Sequence, residues 1–217
     1  RTSRIRLATS VLVLGYHHPL EIAKRYGTLD QVSGGRLILG VGVGSLREEF
    51  DLLGAAWDDR GARADEAMTA LRAALPTNHP VHQGDHYNYD SFVMDPCALQ
   101  PRVPIWVGGR TRRSLRRAVE LGDGWMPFGL AAAEISTMLA TVELPTDFDI
   151  VLATRPLDPM GAPQQTLDAL GALEDAAQTA PAVSSPMMRM SAVPAIPRAR
   201  LSRPSPGLVA ISTRPKG

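Results

Sequence analysis

The residues best placed to do chemistry lie in two glycine-containing turns, each directly after a short apolar run. One turn is Val107-Gly108-Gly109-Arg110-Thr111, between a predicted strand and a predicted helix. Glycines let an anion approach the backbone, and the free N–H groups at a helix start carry a partial positive charge. Arg112 and Arg113 add positive charge beside this turn. The pattern predicts a phosphate clamp, and the alternative is an ordinary strand-to-helix turn beside a solvated basic helix face.

In the other turn, glycine recurs at every second position, at Gly40, Gly42 and Gly44. Alternate residues of a strand point to the same side, so these glycines leave one face of the strand bare. Either a ligand or backbone comes close to that face, or a helix packs tightly on it. The turn matches neither a P-loop nor a dinucleotide-binding fingerprint, because no Gly-Lys-Ser/Thr follows and no acidic residue lies at the required distance.

The remaining candidate groups do not suggest metal or nucleophilic chemistry. The five histidines stand at positions 17, 18, 79, 82 and 86. They lack cysteine or acidic partners at ligand spacing, so we predict no metal site. Cys97 has no base near it in sequence, which argues against a nucleophile. We interpret the acidic pairs Glu48/Glu49 and Asp58/Asp59 as helix caps and solvated faces rather than as a catalytic dyad.

Composition excludes several classes of partner. The chain has 217 residues, a net charge of +1 and one cysteine. A charge this close to zero does not suggest binding to nucleic acid, and the sequence has no apolar run long enough to span a membrane. A lone cysteine suits a reducing compartment, so we expect a cytoplasmic protein. The sequence begins with Arg1 rather than Met, and we expect a further segment before it.

Five predicted strands alternate with helices along most of the chain. The strands are predicted at 5–14, 37–43, 104–107, 122–127 and 148–154. The helices are predicted at 19–32, 47–53, about 60–75, 114–121, 131–143 and 163–178. Between them, residues 77–101 form an irregular insertion with a short hairpin around Tyr87 and Phe92. This alternation predicts a parallel α/β protein, either a doubly wound sheet or a (β/α)8 barrel that five units cannot close.

The character of the sequence changes after residue 178. Residues 181–217 contain seven prolines and six basic residues, with no acidic residue. Such a segment buries too little apolar surface to offset the entropy of ordering it. We therefore predict one domain at 1–178 and a basic, proline-rich, disordered tail at 179–217.

Several motifs occur together in an order that is typical of one family. They are Thr28-Leu29-Asp30-Gln31-Val32-Ser33-Gly34-Gly35-Arg36, Leu39-Gly40-Val41-Gly42-Val43-Gly44, Glu48-Glu49-Phe50, Pro104-Ile105-Trp106-Val107-Gly108-Gly109 and Leu121-Gly122-Asp123-Gly124-Trp125. Over about Ile5 to Gln178 the chain resembles the bacterial luciferase-like monooxygenase superfamily. It is most similar to the actinobacterial branch that uses the deazaflavin coenzyme F420, and an FMN-using relative is the alternative.

The resemblance implies an α/β fold of the (β/α)8 TIM-barrel type, incomplete in this chain, with the cofactor at the carboxyl ends of the strands. Residues 5–14 would be the third barrel strand and would carry a cis peptide bond at Ser10-Val11. The first two strands are absent from this sequence. The eighth is replaced by the tail, for which an altered reading frame or a truncated gene product is our hypothesis. The implied cofactor-binding residues are Ser10, Val11, Val43, Gly44, Ser45, Gly108, Gly109, Arg110 and Thr111.

The function implied by the resemblance is F420-dependent hydride transfer to or from a small organic substrate. FMN-dependent monooxygenation is the alternative within the family, and a non-catalytic barrel fragment is the alternative outside it. Because the cofactor performs the difficult step, no protein nucleophile is required, and we assign no catalytic residue. A homodimer is a further expectation.

Overall fold

The computed structural model describes residues 3–152, 161–178, 187–191 and 210–214. The chain divides into two compact units. The first contains Arg1–Gly108 and Glu120–Gly122, and the second contains Gly109–Val119 and Asp123–Gly217. The predicted boundary between a domain at 1–178 and a tail at 179–217 is not tested by this division and stays a prediction.

The first unit is built on parallel strands. They are β1 (Leu7–Ala8), β2 (Leu12–Val13), β3 (Leu37–Gly42) and β6 (Ile105–Gly108). β1 and β2 both pair with β3, which pairs in turn with β6. Every residue of β3 is buried, as expected for the central strand of a parallel sheet. The carboxyl ends of β2, β3 and β6 therefore meet at one edge.

The strand predicted at residues 5–14 is interrupted, which corrects the expectation of one continuous, mostly buried strand. Leu7 lies opposite Leu37 but Leu12 lies opposite Val41, so five steps along this strand match four along β3. An extra residue of this kind is a bulge, which re-aims the side chains around it. The bulge contains a cis peptide bond at Ser10-Val11, which confirms that prediction.

The helices of the first unit begin and end where proline and glycine predict. α1 (Pro19–Ser33) begins with proline and ends at Gly34, whose φ is +70°. α2 (Arg47–Leu53) ends at Gly54, whose φ is +65°. The predicted bounds of both helices are confirmed within one residue.

α3 (Arg60–Ala74) packs against α1. The side chains of its inner face are all buried: Ala64, Ala67, Met68, Leu71 and Leu75. Asp59 stands at the start of the helix, but its carboxylate makes no capping bond there. It pairs instead with the Arg63 guanidinium at 2.8 Å, one turn along.

A short antiparallel hairpin interrupts the α/β pattern of the first unit. It consists of β4 (His82–Gln83) and β5 (Asn88–Tyr89). The predicted hairpin is therefore confirmed around Tyr87 but wrong at Phe92, which lies beyond it. The Glu66 carboxylate of α3 accepts the backbone N–H groups of His86 and Tyr87, at 2.9 and 2.7 Å. The Tyr89 hydroxyl donates to the Ala70 carbonyl of the same helix at 2.7 Å.

The second unit contains two paired parallel strands, β7 (Gly124–Met126) and β8 (Asp149–Ile150). Its helices are α4 (Arg112–Leu121, whose last two residues belong to the first unit), α5 (Ala132–Leu139) and α6 (Pro163–Gln178). α5 is shorter than predicted, because Ala140 closes it with a turn. Two further strands, β9 (Met187–Ser191) and β10 (Ala210–Arg214), pair antiparallel within the segment predicted to be a disordered tail. The other tail residues lie outside the described ranges.

Candidate cofactor site

The glycines at the ends of β3 and β6 make room for one side chain, that of Val11. A Cβ added at Gly42 would lie 2.9 Å from Val11 Cγ2, and one added at Gly108 would lie 2.9 Å from Val11 Cγ1. Ordinary carbon–carbon contacts are about 3.5–4.0 Å, so neither position has space for a methyl group. Val11 itself remains 38% exposed. The strand ends therefore present an apolar seat, formed by Val11, Gly42 and Gly108.

Gly44, at the end of the same glycine series, meets a helix instead. A Cβ there would lie 2.6 Å from Phe50 Cε2 and 2.9 Å from Val13 Cγ1, and Gly44 has a φ of +88°. Phe50 belongs to α2 and is fully buried. Of the two interpretations of the glycine face, tight helix packing holds at Gly44, whereas at Gly42 the side chain of Val11, from the bulge before β2, fills the space.

The loop after β3 is fixed by Arg60. Its Nε donates to the Gly44 carbonyl at 3.4 Å, and its Nη1 donates to the Trp57 carbonyl at 3.0 Å. The guanidinium lies 3.6 Å above the Trp57 ring centroid, a cation–π geometry. Val43 is half-buried and Ser45 is exposed in this loop. The predicted residues Val43, Gly44 and Ser45 thus belong to an anchored loop rather than to a free one.

Two polar side chains meet beside this loop. The Tyr16 hydroxyl donates to a Glu49 carboxylate oxygen at 2.5 Å. Burial, and then the hydrogen bond and the negative charge of Glu49, raise the pKa of Tyr16 to about 12. Tyr16 therefore remains a neutral hydrogen-bond donor across the physiological pH range. Glu49 is exposed in the first turn of α2, as predicted for a solvated face, but it accepts from Tyr16 and Leu46 stands at the N-cap.

The histidines that follow β2 act on α1. His18 Nδ1 accepts the Leu20 N–H at 3.2 Å and so caps the helix, directly before Pro19. His17 Nδ1 lies 3.2 Å from the Glu21 carboxylate. Within the described part of the chain, no three His, Cys, Asp or Glu side chains form a metal-ligand set.

In the second unit, the predicted phosphate turn is closed by reciprocal capping. The Ser114 N–H donates to Thr111 Oγ1 at 3.2 Å, and the Thr111 N–H donates to Ser114 Oγ at 3.1 Å. A Cβ at Gly109 would lie 2.6 Å from Ser114 Oγ, so glycine is required for this turn. The Gly109 N–H also donates to the Met126 carbonyl of β7 at 3.2 Å.

The charge around this turn is positive. Arg110, Arg112 and Arg113 are all exposed, and the first turn of α4 contains no acidic residue. A helix N-terminus with this charge attracts anions. Helix α4 is ten residues long, so the predicted phosphate turn stands at the N-terminus of a regular helix.

Asp30 has a structural role that was not predicted from the sequence. Its fully buried carboxylate accepts three hydrogen bonds: from the Leu37 N–H at 3.2 Å, the Gln100 N–H at 2.8 Å and Gln100 Nε2 at 2.8 Å. It therefore joins the end of α1 to β3 and to the chain before β6. One signal was present in the sequence. An acidic residue in the last turn of a helix opposes the helix dipole, so it needs compensating donors.

Comparison with known proteins agrees with this architecture. The model of the luciferase-like monooxygenase family matches residues 1–155. An uncharacterized protein of Mycobacterium tuberculosis is 34% identical over 142 residues, which are 65% of this chain and 49% of that protein. The crystal structure of a monooxygenase from Streptomyces bottropensis has a TM-score of 0.62 and 26% identity, covering 83% of this chain and 59% of its own.

A third similar protein is the coenzyme F420 dependent tetrahydromethanopterin reductase from Methanopyrus kandleri. It has a TM-score of 0.62 and 20% identity, covering 71% of this chain and 51% of its own. The present chain belongs to the luciferase-like monooxygenase family, and its fold is an incomplete (β/α)8 barrel, as predicted. The chain spans about half the length of the curated relatives that it matches first.

Proposed function

We propose that this chain binds a flavin-type cofactor, with coenzyme F420 as the first candidate, and supports hydride transfer to or from a small organic substrate. The observation that carries the proposal is the seat at the strand ends of the first unit. An exposed valine there stands on two glycines, in a chain whose family is that of the luciferase-like monooxygenases. The similarity of the sequence motifs to the F420-using branch supports the choice of cofactor.

The first unit would hold the ring of the cofactor. Val11 offers an apolar surface, and Ser10 and Ser45 are exposed polar residues in the bulge and in the loop after β3. Ligand sites of this kind combine apolar walls with a few polar groups that fix orientation. The neutral Tyr16 hydroxyl and the Glu49 carboxylate add one such polar pair near the loop.

The turn before α4, in the second unit, is by itself a candidate for binding a phosphate group. Gly109, Arg110 and Thr111 form the turn, and α4 directs its N-terminus toward the same turn. The guanidinium of Arg110 is suited to phosphate because its fork of N–H donors matches two phosphate oxygens. Gly108 would serve the ring rather than the phosphate, because the space beside it is filled by Val11.

When bound, a deazaflavin supplies two-electron hydride transfer, and the protein supplies binding, orientation and exclusion of water. The FMN-dependent monooxygenase remains the second candidate. It is favoured by the similarity to the monooxygenase from Streptomyces bottropensis, which extends over 83% of this chain.

The proposal is tested by titrating the purified chain with F420 and, separately, with FMN, following the fluorescence of each cofactor. We expect saturable binding of F420 and weaker or no binding of FMN. Val11→Asp should abolish binding, because it places a charge on the apolar seat. Leu52→Asp is the matched control, since Leu52 is 85% exposed on α2 and lies outside the seat.

The phosphate turn has its own pair of variants. Arg110→Glu should weaken binding at least about tenfold, because it places a negative charge beside the phosphate. Arg116→Glu, one turn further along α4 and exposed, should bind like the unmodified chain. Preference for FMN would favour the monooxygenase. Binding of neither cofactor by a chain that is folded by circular dichroism would favour a non-catalytic barrel fragment.

A further inference from the structure

We propose that Gly42 and Gly108 are positioning residues, which together form a two-glycine slot that sets the height of Val11 beneath the cofactor ring. This inference rests on the proposed function, because it assigns a role within the same site. It adds the two residues that determine the position of Val11 in that site. The evidence is the geometry of Val11, in the bulge before β2, and of Gly42 and Gly108, the last residues of β3 and β6.

The two glycines lie side by side because of the strand register. Val41 of β3 lies opposite Val107 of β6, so the next residues along the two parallel strands are Gly42 and Gly108. Val13 of β2 lies opposite Gly42 on the other side. The bulge before β2 directs Val11 over this glycine pair, with one methyl group above each glycine. The slot therefore receives both arms of a β-branched side chain, which is stiff at χ1.

Backbone conformation does not explain the glycines. Neither Gly42 nor Gly108 has a φ in the left-handed region, so an L-residue could adopt either backbone conformation. At Gly42 the atoms within 4 Å of an added Cβ all belong to Val11. At Gly108 the Val41 carbonyl oxygen is a further neighbour, at 3.3 Å. At Gly42 it is thus Val11 alone that excludes a side chain. At Gly108 it is mainly Val11 that does so.

The consequence of filling the slot is a displaced seat. A methyl group at Gly42 would require Val11 Cγ2 to move from 2.9 Å to an ordinary contact, a shift of about 0.6–1 Å. The exposed side of Val11 is the direction in which it can move. Displacements of about 1 Å can cost about 100-fold in rate when they alter the alignment of reacting atoms. We therefore expect cofactor binding and turnover to be sensitive to one added methyl group.

The test combines Gly42→Ala with Val11→Ala in the purified chain, using F420 or, if it is preferred, FMN. Gly42→Ala alone should weaken cofactor binding about tenfold or more and shift the emission of the bound cofactor. In the Val11→Ala background the nearest remaining atom is Cβ, 3.8 Å away, which is an ordinary contact. The double variant should therefore bind the cofactor as Val11→Ala does, with no added loss from Gly42→Ala. Gly108→Ala should behave similarly, with a residual loss from the Val41 carbonyl.

Gly27→Ala is the matched control for a purely structural effect. A Cβ there would lie 3.2 Å from the backbone nitrogen of Ala98, away from the seat. It should lower the melting temperature but leave the emission spectrum of the bound cofactor unchanged. If Gly42→Ala binds normally, or if Val11→Ala does not remove its effect, the slot is disproved while the proposed function stands. If the unmodified chain binds neither cofactor, the proposed function is disproved. The role of the slot in positioning Val11 beneath a cofactor ring is then disproved as well.

Discussion

Asp30 shows how one buried charge joins three parts of the first unit. Its carboxylate accepts two backbone N–H groups and one side-chain N–H, from residues up to 70 positions away in sequence. Hydrogen bonds to a charged acceptor contribute about 1.5–3 kcal/mol each, and an orphaned buried donor carries a desolvation penalty. The strand start at Leu37 and the chain at Gln100 are therefore held by a single side chain.

We expect Asp30→Ala to lower the free energy of unfolding by about 3 kcal/mol, because it leaves buried donors without an acceptor. Urea denaturation followed by circular dichroism measures this loss. Asp51→Ala is the control, since Asp51 is exposed and its ion pair with Arg47 spans 3.7 Å. That variant should stay within about 0.5 kcal/mol of the unmodified chain. Equal effects of the two variants would contradict the role given to Asp30.

Gly109, the second glycine of the phosphate turn, is constrained by the side chain packed against it. Gly109 lies against Ser114, whose hydroxyl also accepts the Thr111 N–H. A side chain at position 109 would collide with Ser114 and disturb the capping of α4. Glycine at position 109 is therefore required by the structure of the turn itself, whether or not a phosphate is bound.

We expect Gly109→Ala to destabilise the chain by about 1–3 kcal/mol, the usual range for overpacking. Thermal unfolding is the measurement. Gly171→Ala provides the comparison, because that helical glycine has open space where its Cβ would lie. Alanine is favoured over glycine inside helices, so this variant should be neutral or slightly more stable. A stable Gly109→Ala chain would show that the turn tolerates a side chain.

At the scale of elements, the sequence predicted what local chemistry determines. Pro19 and Gly34 mark the ends of α1, and Gly54 ends α2, because proline and glycine act through their own backbone preferences. The cis peptide bond at Ser10-Val11 was predicted only through family resemblance, and the bulge that contains it follows from the pairing with β3. The hairpin includes Tyr87 but not Phe92, and its turn is held by the Glu66 carboxylate, a contact that local sequence does not indicate.

Those same contacts make Glu66 a source of pH-dependent stability. Burial by itself would raise the pKa of Glu66, but the N–H groups of Tyr87 and His86, and then His82, outweigh it and hold the pKa below its usual 4.5. A pKa that is lower in the folded chain stabilises the fold above the unfolded-state value. This stabilisation is lost as the pH falls through the folded-state value.

We therefore expect the free energy of unfolding to decline as the pH falls below about 4.5, partly through Glu66. Glu66→Gln should be less stable at pH 7 and should show a shallower decline in acid. Urea titrations at several pH values measure both effects. Glu120→Gln, at an exposed position, should retain the slope of the unmodified chain. An unchanged slope in Glu66→Gln would exclude this residue as the source.

For the whole molecule, the family match and the length of the chain must be considered together. The family model matches residues 1–155, yet the chain spans about half of its first curated relatives. The ring seat and the phosphate turn both lie within the matched range. The two glycine-containing turns could be predicted from the sequence, because close approach of another group to the backbone requires glycine. The partners of those glycines, Val11, Phe50 and Ser114, were not readable, since tertiary packing selects them.

Charge supports a further prediction for the whole chain. Non-specific binding to duplex DNA depends on neutralising several phosphates, and the net charge is only +1. None of the helices that the structure describes is both long and apolar enough to cross a membrane. We expect no retardation of duplex DNA in a gel at about 150 mM salt, where such binding is screened. A retarded band at micromolar protein would contradict the expectation that the chain does not bind nucleic acid.

The anchoring of the hairpin has a consequence for engineering. Both anchors, the Glu66 carboxylate and the Ala70 carbonyl, belong to α3, and neither belongs to a barrel strand. We therefore expect this helix and hairpin, the cassette, to be exchanged between family members more successfully as one piece than separately. Replacing the hairpin alone would separate its backbone donors from their acceptors. Chimeras cut at the two ends of this cassette should fold more often than chimeras cut between residues 74 and 82.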